Sequence, residues 1–133
     1  MKRNIIIVLA SMCTGISYAG DGPCGIELGT WVRTPKVCKG LKRGDLGNDQ
    51  DAWMIFKPGA RWEQWETSCK IHDAKLKDGV CNYKISCQGE EGKFDEKETV
   101  RIGDSKNIIF IYGKAELHYI YCSPPIKTPY GEN

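Results

Sequence analysis

The sequence is poor in the groups that enzymes commonly use. It contains only two histidines, His72 and His118, among 133 residues. It also lacks the Gly-x-Ser-x-Gly, His-Glu-x-x-His and glycine-rich phosphate-binding motifs, so the commonest hydrolase and nucleotide-binding classes have no signature here. We therefore predict that the protein is not an enzyme and uses no cofactor. A hydrolase that uses one of the histidines as a general base is kept as an alternative.

Metal-ligand spacings are also missing. No Cys-x2-Cys pair occurs, and the two histidines are not spaced as zinc ligands. Asp45, Asp49 and Asp51 alternate in an acidic segment. However, Gln50 occupies the position of the EF-hand glycine, and no glutamate closes a loop of twelve residues. We predict a solvated loop at this place and no metal site.

The only long apolar run lies at the N-terminus. Lys2 and Arg3 precede the apolar residues 5–10, and the small residues of Ser17-Tyr18-Ala19 fit the site that signal peptidase cleaves. We therefore predict a signal peptide over 1–19 and a periplasmic or secreted mature protein. Its removal takes two basic residues and no acidic residue, which leaves 17 of each sign and a neutral mature chain. A neutral, exported chain argues against a nucleic-acid partner.

Two alternatives concern the same N-terminal segment. A retained membrane span would need about 20 mostly apolar residues, and Ser11 and Thr14 interrupt the run before that length. We therefore predict no membrane span. The second alternative is a bacterial lipoprotein anchored through Cys13, but Met12 stands where a small residue is expected.

Because exported proteins fold in an oxidising compartment, we expect the cysteines to form disulfides. Removal of Cys13 leaves six cysteines, whose fifteen connectivities the spacing alone cannot distinguish. Cys81 and Cys87 lie on the same face of a predicted strand, so they cannot pair with each other. The segment that holds Cys69 is expected to supply a partner for one of them. The six predicted disulfide cysteines are Cys24, Cys38, Cys69, Cys81, Cys87 and Cys122.

Short alternating segments rich in β-branched and aromatic residues predict an all-β fold. We expect a small antiparallel β-barrel or sandwich of about eight strands, stapled by disulfides. It forms a single β domain over 20–122, followed by a proline-rich, extended and partly mobile tail over 123–133. Only 73–77 suggests a helical turn. The predicted strands cover 27–33, 52–57, 60–67, 68–72, 80–88, 96–102, 107–112 and 115–121.

Three dipeptides predict specific turns between these strands. Pro58-Gly59 suits a type II turn, because proline presets the first central position and glycine accepts a positive φ at the second. Asp78-Gly79 favours a primed hairpin turn, and Gly113-Lys114 fits a type II′ turn.

Gly29-Thr30-Trp31 resembles the glycine-x-tryptophan motif on the first strand of calycins, the group of lipocalins, fatty-acid-binding proteins and avidins. The segment 53–62 is similar to the strand-turn-strand unit of small lipocalin-like barrels. This resemblance implies a closed barrel in which Trp31 is a structural plug and Gly29 a hinge. It also implies an alternative function, a carrier of a small apolar ligand.

Charge placement and tryptophans provide the candidate binding residues. A basic stretch without an acid precedes Asp45, whereas Glu90, Glu91, Asp95, Glu96 and Glu98 form what we interpret as a solvated acidic hairpin. Trp62 and Trp65 are three residues apart, so a regular strand sends one to the core and one outward, whereas a bulge turns both inward. The predicted binding residues are Arg33, Lys36, Lys39, Lys42, Arg43, Trp62 and Trp65.

We therefore interpret the chain as an exported protein-binding module, such as an inhibitor or immunity protein against a cell-wall hydrolase or toxin. Its expected partner is another exported or periplasmic protein. A filled interior with a basic or aromatic surface would favour this function. An apolar cavity of several hundred Å³ would instead favour the lipocalin-like carrier.

Overall fold

A computed structural model describes residues 20–129. They form a closed barrel in which every strand is antiparallel to the next and the last strand pairs with the first. The predicted all-β class and number of strands are therefore confirmed, with the barrel as the architecture. The predicted signal peptide, 1–19, lies outside the described residues, as do 130–133. The strands are β1 (Gly29–Val32), β2 (Trp53–Lys57), β3 (Arg61–Gln64), β4 (Thr67–Lys77), β5 (Val80–Gly89), β6 (Gly92–Asp104), β7 (Asn107–Tyr112) and β8 (Ala115–Ser123).

The helix is not where the sequence predicts it. The expected helical turn at 73–77 is wrong, because these residues continue β4 after a register shift between His72 and Lys75. A helix, α1 (Pro35–Lys42), forms instead between β1 and β2. Thr34 caps it, since its Oγ1 accepts a hydrogen bond from the Val37 amide at 3.3 Å. The Thr34-Pro35 pair is a recognised start signal for a helix.

The predicted turns lie close to where the sequence places them. Asp78 and Gly79 both have positive φ, as a primed hairpin turn requires. Gly59 has a φ of +84°, in agreement with the second central position of a type II turn. The junction between β3 and β4 differs, since the chain turns at Trp65 and Glu66 rather than after residue 67.

The barrel interior is filled with side chains. Along β5 every second residue is buried, which is the alternation expected for a strand with one face on a core. The Trp62 indole donates a hydrogen bond to the Met54 sulfur at 3.3 Å, and Phe110 and Tyr119 meet edge to face. Among the buried interior residues are Trp31, Met54, Phe56, Trp62, Cys81, Tyr83, Ile85, Val100, Ile108, Phe110 and Tyr119.

A second apolar cluster lies outside the barrel wall. Val32, Trp53 and Ile55 alternate with inward-facing residues of β1 and β2, so their side chains point to the outer face. Leu41 of α1 and Ile126 of the C-terminal segment pack onto them. The outer face of β8, β1 and β2 is therefore covered, and α1 is part of its cover.

Three disulfides connect the covering segments to the barrel. They join Cys24 to Cys81, Cys38 to Cys122 and Cys69 to Cys87. The prediction that the segment holding Cys69 pairs with Cys81 or Cys87 is confirmed. The other two bonds fasten the 3₁₀ turn Pro23–Gly25 to β5 and α1 to β8. Three disulfides fit a protein that works in an oxidising, exported environment.

The glycine and tryptophan of the first strand sit at a close approach of two strands. Gly29 has a φ of +143°, and a Cβ there would lie 2.5 Å from the Ser123 carbonyl oxygen. Trp31 is 1% exposed, and its indole donates to the Glu27 carbonyl at 3.1 Å. Its ring meets Tyr121 edge to face, with centroids 5.3 Å apart. Trp31 thus belongs to the packed interior.

The described part of the C-terminal tail is held against the barrel. The buried Thr30 hydroxyl donates to the Pro124 carbonyl at 3.2 Å and accepts from the Ile126 amide at 3.1 Å. Farther along, the Thr128 hydroxyl donates to Glu63 at 2.7 Å. Glu63 is 1% exposed and also pairs with Lys57 at 3.3 Å. These polar contacts fix the segment 124–128 on the outer face.

We expect Thr30→Val to lower the free energy of unfolding by about 1–3 kcal/mol, because it leaves a buried amide and a carbonyl without their partner. Denaturant unfolding of the oxidised protein measures this. Thr99→Val is the matched control, since the Thr99 hydroxyl bonds to the exposed Asn82 side chain. Equal losses in the two variants would contradict the assigned role of Thr30.

Candidate functional site

Four of the predicted basic residues share one exposed face of α1 and its C-cap. Lys36, Lys39, Lys42 and Arg43 are all exposed. Spacings of three and four residues bring side chains onto the same side of a helix, so these cations form one stripe. We call these four residues the basic helix face. No acidic side chain lies within Pro35–Lys42, so the positive charge is not neutralised along the helix itself.

The opposite side of α1 is fixed to the barrel. Gly40 and Leu41 are buried, and Val37 and Cys38 pack partly against the outer apolar cluster. The disulfide from Cys38 to β8 adds a covalent attachment. At the end of the helix, amides of the chain turn back onto helix carbonyls, so the backbone is satisfied there. The basic helix face is thus presented on a rigid support.

Arg33 does not join this face. Its Nε donates a hydrogen bond to the His118 carbonyl at 3.0 Å. Its guanidinium carbon lies 5.6 Å from the ring centroid of Tyr119, close enough for a cation–π contact. Arg33 is therefore half-buried between β1 and β8 and supports the barrel wall.

The two tryptophans lie on different sides of the wall. Trp62 is inside the barrel and 5% exposed, so it does not reach the surface. Trp65 is half-buried and packs against the outer apolar cluster to which α1 also belongs. This arrangement agrees with the alternative in which the residues point to opposite faces.

Glu98 differs from the other acids of its hairpin. Glu90, Glu91, Asp95 and Glu96 are exposed, as the interpretation of a solvated acidic hairpin requires, but Glu98 is only 4% exposed. The interpretation is wrong for Glu98, because this residue shares its strand face with Val100 and Ile102 and points inward. The sequence carries this signal, since the three residues are spaced by two.

Tyrosines surround the buried carboxyl. The Tyr112 hydroxyl donates to Glu98 Oε1 at 2.8 Å. Tyr83 pairs with Glu98 across β5 and β6, and its buried hydroxyl has no hydrogen-bond partner within residues 20–129. The pKa of Glu98 is raised to about 7, mainly because the carboxyl is buried; the Tyr112 hydrogen bond opposes this shift and the nearby Glu96 charge adds to it. Burial also raises the pKa of Tyr83 and of Tyr112.

The histidines do not meet in one site. His118 is exposed on β8, with Nε2 3.8 Å from Glu116. His72 on β4 places Nε2 3.0 Å from the Ser86 hydroxyl on β5. Within the described chain no carboxylate bonds to the His72 ring, so this exposed pair lacks the third member of a catalytic triad. A catalytic role for either histidine stays an untested alternative.

Metal and membrane features can be stated for residues 20–129 only. In this range no three histidine, cysteine or acidic side chains cluster as metal ligands. The carboxylates of Asp45 and Asp49 accept hydrogen bonds from the Gly47 and Asp51 amides, at 2.9 and 3.0 Å. None of the helices described here has the length and apolar character needed to cross a membrane.

The raised pKa of Glu98 predicts a pH-dependent stability. The folded protein binds more protons than the unfolded chain between the ordinary carboxyl pKa of 4.5 and about 7, so stability falls as the pH rises through this window. We expect Glu98→Gln to flatten this dependence and to raise stability above pH 7 by about 1–3 kcal/mol. Unfolding midpoints from pH 4 to 8 measure it.

Glu91→Gln is the control for this experiment, because Glu91 lies in the same hairpin, is exposed, and is not among the charges that raise the pKa of Glu98. It should leave the pH dependence close to that of the unmodified protein. If Glu98→Gln shows the same pH dependence of stability as the unmodified protein, the buried Glu98 carboxyl is not its cause.

Comparison with known proteins gives no assignment. No protein-family model matches the chain, and no similar protein is found among curated proteins or solved structures. The eight-stranded antiparallel barrel is compatible with the calycin-like fold that the first strand resembles. The chain is therefore described by its architecture, a closed and disulfide-stapled β-barrel with a helix on its outer wall.

Proposed function

We propose that the protein is an exported binding module that captures another exported protein through the basic helix face. An inhibitor or immunity protein against a cell-wall hydrolase or toxin is the role we favour. The expected partner carries an acidic surface, because complementary charge accelerates encounter and selects the partner. The proposal includes a signal peptide over 1–19 and a barrel of the calycin type.

The observation that carries the proposal is the rigid display of the basic helix face. Its four cations are exposed on one side of a helix whose other side is packed and disulfide-bonded. A surface that is already ordered loses little conformational entropy when it binds. The half-buried Trp65 packs on the same apolar cluster as α1 and adds an aromatic group to this side of the molecule.

The filled interior favours a protein binder over a carrier of apolar ligands. Large side chains such as Trp31, Phe56 and Phe110 are fully buried within the barrel. Eight-stranded barrels of this size can be filled by their own side chains. The buried Glu98 carboxyl also makes the interior less suitable for an apolar molecule.

Charge reversal of the helix tests the proposed surface. We expect Lys36→Glu, Lys39→Glu and Lys42→Glu together to abolish capture of the partner from envelope extract, because they replace attraction by repulsion. The full chain is expressed and purified oxidised as the bait, and mass spectrometry identifies what it retains. Inhibition of a captured hydrolase is then measured with its own substrate.

The matched control is the triple variant Lys70→Glu, Lys84→Glu and Lys97→Glu, which reverses the same number of exposed lysines on β4, β5 and β6 instead of on the helix. It should retain the partner that the unmodified bait retains. Partner capture that is unchanged by reversal of the helix charges, or lost equally in both variants, would refute the proposed surface. Retention of a small lipid and no protein would favour the carrier.

Removal of the disulfide that holds α1 tests the importance of rigidity. We expect Cys38→Ser with Cys122→Ser to weaken capture and to cost about 2–5 kcal/mol of stability, while the barrel keeps its β-type circular dichroism. Cys69→Ser with Cys87→Ser is the control, because this bond joins β4 to β5 and does not touch α1. Equal loss of capture in both, at temperatures where both are folded, would argue against a role for the fixed helix.

A further inference from the structure

The outer face of β4, β5 and β6 is a second, larger basic surface. These strands extend over up to 13 residues, and their outward-facing side chains are mostly exposed. The outer apolar cluster includes none of their residues. We call this surface the basic sheet face. Its exposed lysines are Lys70, Lys75, Lys77, Lys84, Lys93 and Lys97.

The strand register brings these cations side by side. Lys84 on β5 lies directly between His72 on β4 and Lys97 on β6. In the neighbouring row, Ser86 lies between Lys70 and Asp95. Paired residues on adjacent strands are about 5 Å apart, and successive rows are about 7 Å apart along a strand. The cations thus lie in neighbouring rows on three adjacent strands.

Few acidic residues lie on this face, because strand alternation places Glu96 and Glu98 on the other side of β6. Asp73 and Asp95 are the acidic residues on its outward side, and Asp73 is 3.7 Å from Lys84. Glu96 and Glu98, whose positions alternate with the outward ones, also line the two smaller grooves. On β6 the alternation sends Lys93, Asp95 and Lys97 outward, whereas Glu98 points inward. Six exposed lysines against two aspartates at the outward positions leave an excess of positive charge, although residues 20–133 contain 17 basic and 17 acidic side chains.

The face is grooved rather than flat. A groove of about 580 Å³ is lined by Lys70, Lys93 and, on β3, Arg61. Two further grooves, of about 390 and 350 Å³, are both lined by Lys84 and Lys97. Ser86 and Asp95 line both the large groove and the smallest one. The concave regions therefore adjoin one another along the sheet.

Neutral polar groups lie between the lysines. Ser68 and Ser86 carry hydroxyls, and Gln88 and Asn82 carry amides. The Thr99 hydroxyl donates to the Asn82 side-chain oxygen at 2.8 Å, which leaves the two N–H groups of that amide available for a ligand. Alternating cationic and neutral hydrogen-bonding groups suit a ligand that alternates anions and hydroxyls.

We propose that the basic sheet face binds a linear anionic glycan, a chain of sugars that bear carboxylate or sulfate groups. The lysines pair with the anionic groups, and the serine, asparagine and glutamine side chains bond the sugar hydroxyls. The adjoining grooves accept a chain that extends across several strands. This inference does not depend on the protein partner proposed for the basic helix face.

Other polyanions fit this face less well. Single-stranded nucleic acids are held by aromatic side chains on which bases stack. The outward-facing positions that line the three grooves carry no aromatic ring in the described chain; Phe94 and Tyr83 point to the other side of their strands. A membrane surface is bound through apolar side chains inserted beside the cations, and the outward rows of β4–β6 provide none at these grooves.

The two basic surfaces lie on opposite sides of the barrel. In the closed order of eight strands, β5 stands opposite β1, and α1 covers the outer face of β8, β1 and β2. A glycan on the basic sheet face therefore leaves the basic helix face open. This separation also allows one surface to be the control for the other.

Calorimetric titration tests the proposal with a size-defined heparin oligosaccharide as the sulfated probe and an oligogalacturonate as the carboxylated probe. The oxidised full-chain protein should bind at least one of them, with an affinity that falls as salt rises. Lys70→Glu, Lys84→Glu and Lys97→Glu together should weaken binding about tenfold or more. Lys36→Glu, Lys39→Glu and Lys42→Glu together should change it less than about threefold.

The comparison of ligands decides between glycan and other polyanions. A single-stranded oligonucleotide of equal charge and vesicles of phosphatidylglycerol are titrated under the same conditions. Tighter binding of either, absence of binding to both glycans, or equal losses in the two triple variants would overturn the proposal. Unfolding curves of each variant ensure that the compared proteins are folded, and the variants Lys70→Gln, Lys84→Gln and Lys97→Gln replace the glutamates if these prevent folding.

Discussion

Closure of the barrel by β8 on β1 is the constraint on which the other features depend. The two strands pair only over Thr30–Val32, with a register shift that leaves Cys122 as the extra residue. Gly29 permits the approach, because a Cβ there would collide with the Ser123 carbonyl and the Tyr121 ring. Tyr121 in turn packs against Trp31 and lies under the Lys106 ammonium at 4.2 Å. Side chains from both strands thus stabilise the short pairing of β8 with β1.

Closure also determines which surfaces are free. A small closed barrel uses its inward-facing residues to fill the interior, so any further apolar residue must be covered from outside. Val32, Trp53 and Ile55 supply such residues on β1 and β2, and α1 and Ile126 cover them. The longer strands β4, β5 and β6 carry lysines at their outward positions instead. The outer face of β8, β1 and β2 is therefore apolar and covered by other segments, whereas the outer face of β4, β5 and β6 carries lysines and is exposed.

Sequence reasoning predicted the strands well because their signals are local. The alternation of β5 and the Asp78-Gly79 turn depend on neighbouring residues, and both are found as expected. The helix was missed because Gly40 lowers the helix propensity of 35–42, and tertiary packing of Leu41 supplies what propensity does not. At 73–77 the opposite error occurred, because long-range pairing with β5 held the segment extended.

The candidate sites were predictable only in part, because one set of lysines is contiguous in the sequence and the other is brought together only by folding. Lys36, Lys39 and Lys42 form a visible run in the sequence, so the basic stretch could be recognised before its helical form was known. The lysines of β4, β5 and β6 are separated by up to 27 positions, and over the segment 70–97 as a whole six acidic residues balance the six lysines. Strand alternation then sends Glu98 inward and Lys97 outward, and register unites Lys97 with Lys84. Residues 20–133, with 17 basic and 17 acidic side chains, can therefore present two separate cationic surfaces, because strand alternation places many of the acidic and basic side chains on different faces.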